Sequence, residues 1–144
     1  MLVRTYGDSG PLVVVLHGGP GAPGHMAPVA RGLADAFRVI EPFQRPSGES
    51  PLTAAAHIED LRELVETRWA GSRPAMVGSS WGAMLALAFA AAHPELAGPL
   101  VLIGCGTFDR AARTRMKAVI EERTGDDLRR LVWRIGLGDR GGPV

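Results

Sequence analysis

Four short stretches of the chain, residues 12–16, 37–40, 75–77 running into Gly78, and 100–103, are apolar at nearly every position. A strand with one wet face alternates polar and apolar side chains, so this continuity predicts parallel strands covered on both faces. Between them the period lengthens to that of a helix. From Thr53, an N-cap candidate, Ile58, Leu61, Val65 and Trp69 fall on one face while Glu59, Asp60, Arg62 and Glu66 turn away. The next helical stretch, from Trp81 to about Ala92, is apolar all round and is expected to be buried. After Gly104, residues 110–122 and 126–135 read as two further helices with no fifth strand following. The second places Leu128, Leu131, Val132 and Ile135 at i, i+3, i+4 and i+7. Residues 136–144, with four Gly and one Pro, read as a loop or frayed end. The alternation of strand and helix predicts an α/β domain: a mostly parallel sheet with helices on both faces, ending in two helices.

Composition narrows the partners. The 144 residues are 46% apolar and 22% charged, which excludes a disordered chain, and 16 Lys+Arg against 15 Asp+Glu leave a net charge of +1. Bulk attraction to a polyanion is thereby excluded. Residues 1–109 hold 7 basic and 10 acidic groups, and residues 110–144 hold 9 and 5. Because acids are interleaved in that basic segment, it reads as a solvated helix face, with no nucleic acid as partner. Residues 74–94 carry no Asp, Glu, Lys or Arg over nearly the ~20 positions a membrane span needs. Gly78-Ser79-Ser80 interrupts them and His93-Pro94 ends them, so they read as a buried strand turning into a buried helix, with no membrane role. The single Cys105 excludes an internal disulfide framework and is expected to be a buried small side chain; Trp69 and Trp133 are expected to pack. The amino terminus lacks the basic start and apolar run of a signal peptide, so the expected location is cytoplasmic. No Cys, His and carboxylate cluster has metal-ligand spacing, and no cofactor is expected.

The segment richest in chemistry is Gly78-Ser79-Ser80-Trp81-Gly82, a GxSxG match. It follows an apolar strand and opens a helix, where a sharp turn thrusts a serine out at the carboxyl end of a sheet. Ser80 is therefore the candidate nucleophile, and a Gly/Ser-rich turn without chemistry is the plain alternative. Upstream, the apolar run 12–16 enters His17-Gly18-Gly19-Pro20-Gly21. Acyl transfer needs donors for a developing oxyanion, and a turn without Cβ atoms brings backbone N–H groups close to one. The candidate donors are the N–H groups of Trp81 and Gly19. His17 reads as a structural hydrogen-bonder beneath that loop.

These two segments together resemble the α/β-hydrolase fold family, and within it the proline iminopeptidase-like branch, over roughly residues 10–109. That branch carries an Asp-Gln-Arg-Gly-type loop after the second of these strands, where this chain has Phe43-Gln44-Arg45-Pro46-Ser47-Gly48-Glu49-Ser50. Gln44, Arg45, Gly48 and Ser50 fit; Phe43 and Pro46 do not. The resemblance implies a serine hydrolase acting on an ester or amide, a small or peptide-like molecule, through an acyl-Ser80 intermediate. It also implies two domains, the amino-terminal part of a hydrolase core over 1–109 and a helical lid segment with a loose tail over 110–144.

The resemblance places an acid and then a histidine after the serine, yet no histidine follows His93. Asp109 is a candidate acid as well as a candidate cap for the helix starting at Arg110. His25 and His57 precede the serine and are assigned to the first loop and an outer helix. The strand at 100–103 becomes an apolar sheet edge that the two last helices, a second copy or a completing partner must cover. The expectation is thus an amino-terminal half of a serine hydrolase, truncated or completed in trans. Two rivals stand beside it. One is a non-catalytic module of the same fold. The other is a dinucleotide-binding domain, since Gly19-Pro20-Gly21-Ala22-Pro23-Gly24 is GxGxxG after a strand and Glu41 ends the next strand. Pro20 and Pro23 lack the N–H groups a pyrophosphate cradle needs.

Overall fold

The computed structural model describes residues 1–19, 22–45, 53–106 and 109–123. They fall into two compact units, Met1–Gly106 and Thr107–Val144. In the first, five strands form one sheet: β1 Val3–Tyr6, β2 Leu12–Leu16, β3 Arg38–Pro42, β4 Ala75–Ser79 and β5 Leu100–Ile103. Their order is β1-β3-β2-β4-β5; β1 pairs with β3 antiparallel and every other pair is parallel. Three helices complete the unit, α1 Ala27–Leu33, α2 Ala54–Arg68 and α3 Trp81–Ala92.

The continuous apolar strands are explained by cover on both faces. Val14, Leu16, Ile40 and Met76 point to one side, where they pack with Leu61, Leu64 and Val65 of α2 and Leu85, Ala86 and Phe89 of α3. Val13, Val15, Val39 and Val77 point to the other and pack with Met26 and with Ala30 of α1. Since neighbouring residues of a strand face opposite ways, every position of β2 after Leu12 is buried. Thr53 caps α2, its hydroxyl accepting from the Ala56 N–H at 3.1 Å.

The structure adds two elements to the sequence reading. β1 is a fifth strand, half-polar and at the sheet edge, and α1 is a seven-residue helix with a proline in its first turn. The strand expected at 37–40 runs as Arg38–Pro42. β5 stands at the other edge, and Val101, Leu102 and Ile103 are 50%, 38% and 44% exposed. Cys105 is half-buried, not buried as expected. In the second unit α4 Arg110–Arg123 has no buried residue. The expected helix 126–135 with Trp133, and the tail 136–144, lie outside the described residues. No helix among the described residues is long and apolar enough to cross a membrane.

Candidate active site

Strand β4 ends at Ser79, and the next residue, Ser80, starts α3 with φ 52° and ψ −114°. It is the one non-glycine residue with positive φ among those described. Such a conformation persists only where its surroundings hold it. Here the Ser80 N–H donates to the Ile103 carbonyl at 2.8 Å, and the Ser80 carbonyl accepts from Ala83 at 3.1 Å and Met84 at 3.2 Å. The flanking glycines are required by close approach: a Cβ on Gly78 would meet the Gly82 carbonyl oxygen at 2.3 Å, and one on Gly82 the Leu16 carbonyl oxygen at 2.2 Å. The turn leaves Ser80 exposed at the carboxyl end of the sheet.

The loop after β2 stands against this turn, because a Cβ on Gly18 would lie 3.2 Å from the Ser79 oxygen and 3.4 Å from the Ser80 Cβ. Gly19 follows with φ +26°, its carbonyl accepting from Ala22 at 3.1 Å. Trp81 is the first residue of α3, a position whose N–H has no intrahelical acceptor. The structure therefore brings the Gly18-Gly19 loop, Ser80 and Trp81 together. Pro20 and Gly21, like residues 46–52, lie outside the described residues, so the loop compared with the Asp-Gln-Arg-Gly type is seen as far as Arg45.

Beneath these elements runs a polar network, buried at His17 and Gln44 and part-buried at Trp81, Arg45 and Asp60. The fully buried His17 ring bonds Gly18 O from Nδ1 at 3.1 Å, and its Nε2 accepts from the Gln44 N–H at 3.2 Å. A carbonyl only accepts and an amide N–H only donates, so His17 carries its proton on Nδ1 and both nitrogens are occupied. Sequence reasoning placed His17 under the loop, and the ring is indeed engaged there rather than turned to Ser80. The Gln44 side chain donates to the His17 carbonyl at 2.9 Å and accepts from Trp81 Nε1–H at 2.7 Å. Arg45 makes a two-pronged pair with Asp60, at 2.8 and 2.6 Å. His57, on the first turns of α2, is buried and stands edge-on to the Trp81 ring at 5.6 Å. Burial first, and then the Arg45 guanidinium, hold this imidazole below its ordinary pKa, with Asp60 pulling the other way and His17 adding to the depression. Its Nδ1 has no hydrogen-bond partner among the described residues.

No histidine among the described residues is hydrogen-bonded to Ser80. His25 is exposed ahead of α1, and His93 caps the far end of α3 from the serine. In the second unit the Asp109 carboxylate accepts from Ala111 N–H at 2.6 Å and Ala112 N–H at 3.2 Å, which makes it the cap of α4. Glu41 corrects the dinucleotide reading. Its side chain is fully buried, with Oε2 accepting from the Tyr6 hydroxyl at 2.8 Å, so it offers nothing to a ribose. Among the described residues there is no group of three or more His, Cys, Asp or Glu able to hold a metal ion. Sequence reasoning missed what Gln44 and His57 do. Their partners, Trp81 and His17, lie far along the chain, and no local signal joins them.

Residues 11–134 match the family model described as alpha/beta hydrolase fold. Proline iminopeptidase of Neisseria gonorrhoeae is 39% identical over 105 residues, covering 64% of this chain and 32% of that protein. The 2-hydroxy-6-oxononadienedioate/2-hydroxy-6-oxononatrienedioate hydrolase 2 of Pseudomonas putida is 36% identical over 119 residues, 72% of this chain and 40% of its own length. Among solved structures, E-2-(acetamidomethylene)succinate hydrolase superposes with a TM-score of 0.64 at 29% identity, over 85% of this chain and 47% of the other. The chain spans about a third of the length of the curated proline iminopeptidases it matches. It belongs to the alpha/beta hydrolase fold family.

Proposed function

We propose that this member of the alpha/beta hydrolase fold family carries the nucleophile and the oxyanion donors of a serine hydrolase that cleaves an ester or amide. The observation that carries the reading is Ser80, exposed and held at φ 52° where β4 turns into α3, with the Gly18-Gly19 loop against it. In the proposed reaction the Ser80 oxygen attacks the carbonyl carbon and the carbonyl π pair moves onto oxygen, where the N–H groups of Trp81 and Gly19 stabilise it. A base takes the Ser80 proton on attack and gives it to the leaving group, so collapse expels the alcohol or amine and leaves an acyl-Ser80 ester. Water, losing its proton to the same base, then releases the acid, and the proton returns to Ser80. A serine hydroxyl needs a base, and none of the described histidines touches it. We assign the base and its acid to residues outside those described, supplied by a longer chain or a partner. For Asp109 the cap is the role its bonds support.

The likeness to enzymes named proline iminopeptidase favours a peptide-like amide. Phe43, where that branch carries an acid, keeps the substrate class at ester or amide. The lone Cys105 suits a reducing compartment such as the cytoplasm. The test is Ser80→Ala in the intact protein, assayed with p-nitrophenyl acetate and with a fluorophosphonate label. We expect loss of the label and a fall in hydrolysis toward background. Unchanged hydrolysis with the alanine variant would sink the nucleophile assignment, and a wild type that neither takes the label nor hydrolyses above background would leave the non-catalytic module.

A further inference from the structure

Gln44 is 5% exposed, and its amide joins two distant parts of the chain: Nε2–H donates to the His17 carbonyl at 2.9 Å and Oε1 accepts from the Trp81 indole N–H at 2.7 Å. The orientation of this amide is fixed, since the carbonyl only accepts and the indole only donates. Its backbone N–H adds a third bond, to His17 Nε2 at 3.2 Å. His17 is the residue before the Gly18-Gly19 loop, and Trp81 is the residue after Ser80. Each side of the clamp thus sits on an element bearing one of the two oxyanion donors assigned above.

We propose that Gln44 is a positioning residue that sets the spacing between the Gly19 and Trp81 N–H groups around the oxyanion. This inference rests on the acyl-Ser80 reading. One head must both donate and accept, at a reach that spans β3 to both partners, and among neutral side chains glutamine supplies that combination while asparagine is one methylene short. Oxyanion donors act only when held at hydrogen-bonding distance from the developing charge, and a displacement of about 1 Å costs on the order of 10²-fold in rate. A loosened clamp should therefore lower kcat and leave KM nearly alone, because the donors matter more to the transition state than to the bound substrate.

The experiment uses Gln44→Met and Gln44→Glu in the intact protein, with p-nitrophenyl acetate as substrate and Ser80→Ala as control. For Gln44→Met we expect the Trp81 indole N–H resonance, assigned with Trp81→Phe, to move upfield. We also expect kcat to fall roughly 10–100-fold with KM within about threefold. For Gln44→Glu the ionised carboxylate keeps the bond from Trp81 and loses the one to His17. Protonation restores that donor, so kcat relative to wild type should rise as the pH falls. If Gln44→Met does not fold, this pH-dependent ratio decides alone. Wild-type kcat in the variants, beside a dead Ser80→Ala, overturns the positioning role and leaves the serine reading intact. A kcat loss that only follows the unfolded fraction, or a Gln44→Glu ratio flat with pH, overturns it as well. Hydrolysis that does not depend on Ser80 removes the acyl-serine reading, and this inference with it.

Discussion

Strands β4 and β5 are neighbours, paired in parallel from Met76 opposite Leu100 to Ser79 opposite Ile103, and both are apolar, yet they meet opposite surroundings. The three central residues of β4 are buried, Met76 on the side of α2 and α3 and Val77 on the side of α1, whereas the last three of β5 are exposed. The other edge shows what a wet edge ordinarily looks like: β1 reads Val-Arg-Thr-Tyr, with Arg4 and Thr5 exposed on its two faces to blunt it. β5, reading Leu-Val-Leu-Ile, has the composition of a covered strand in an uncovered position. Apolar character therefore records the surroundings a strand is built for, and burial shows which of them the described residues supply.

The sharpest way to break this contrast is at the β4 turn. Gly82→Ala sets a Cβ against the Leu16 carbonyl, a backbone atom that cannot swing away, so we expect a loss of about 3 kcal/mol or more, read from thermal or urea unfolding. Next comes a matched pair across the two strands. Met76→Ala should cost about 2–5 kcal/mol as a cavity in the core, and Leu102→Ala less than about 1 kcal/mol at its exposed site. Equal costs from urea midpoints would mean that β5 is covered in solution, by a second copy or a partner.

The smallest effect concerns pH. Burial holds the folded His57 ring below its ordinary value, so the unfolded chain binds the proton first as the pH falls. Its contribution to stability is full above about pH 6.5 and declines below it. Arg45, Asp60 and His17 are the charged and titratable neighbours that set this balance. Urea midpoints on either side of that pH should differ less in His57→Gln than in wild type, and equal differences would dismiss the ring as a source of acid sensitivity.

Much of this was legible because burial on two faces writes itself as unbroken apolar runs, and four of the five strands do so. β1 escaped notice since four residues of half-polar edge give no period to read. α1 escaped because a seven-residue helix with Pro28 and Gly32 inside it looks like a loop. The sequence places His57 on an outer helix, and it lies on α2. It is buried all the same, because the Trp81 ring stands against it. The serine turn was readable as a local pattern of glycines, while the clamp behind it joins residues 27 and 37 apart in the chain, which no local pattern encodes.

That separation sets an order of events. β2 can pair with β3 once the first 42 residues exist, but its other side waits for β4, and closing the longer loop comes later and at greater entropic cost. The serine turn cannot take shape until Gly82 seats on Leu16 and the Ser80 N–H reaches the Ile103 carbonyl, so the carboxyl end of the sheet matures after its amino-terminal strands. Until then the apolar runs of β2 and β3 wait with one flank open, and the interval between them and β4 is the nascent chain's window of exposure to aggregation and chaperones.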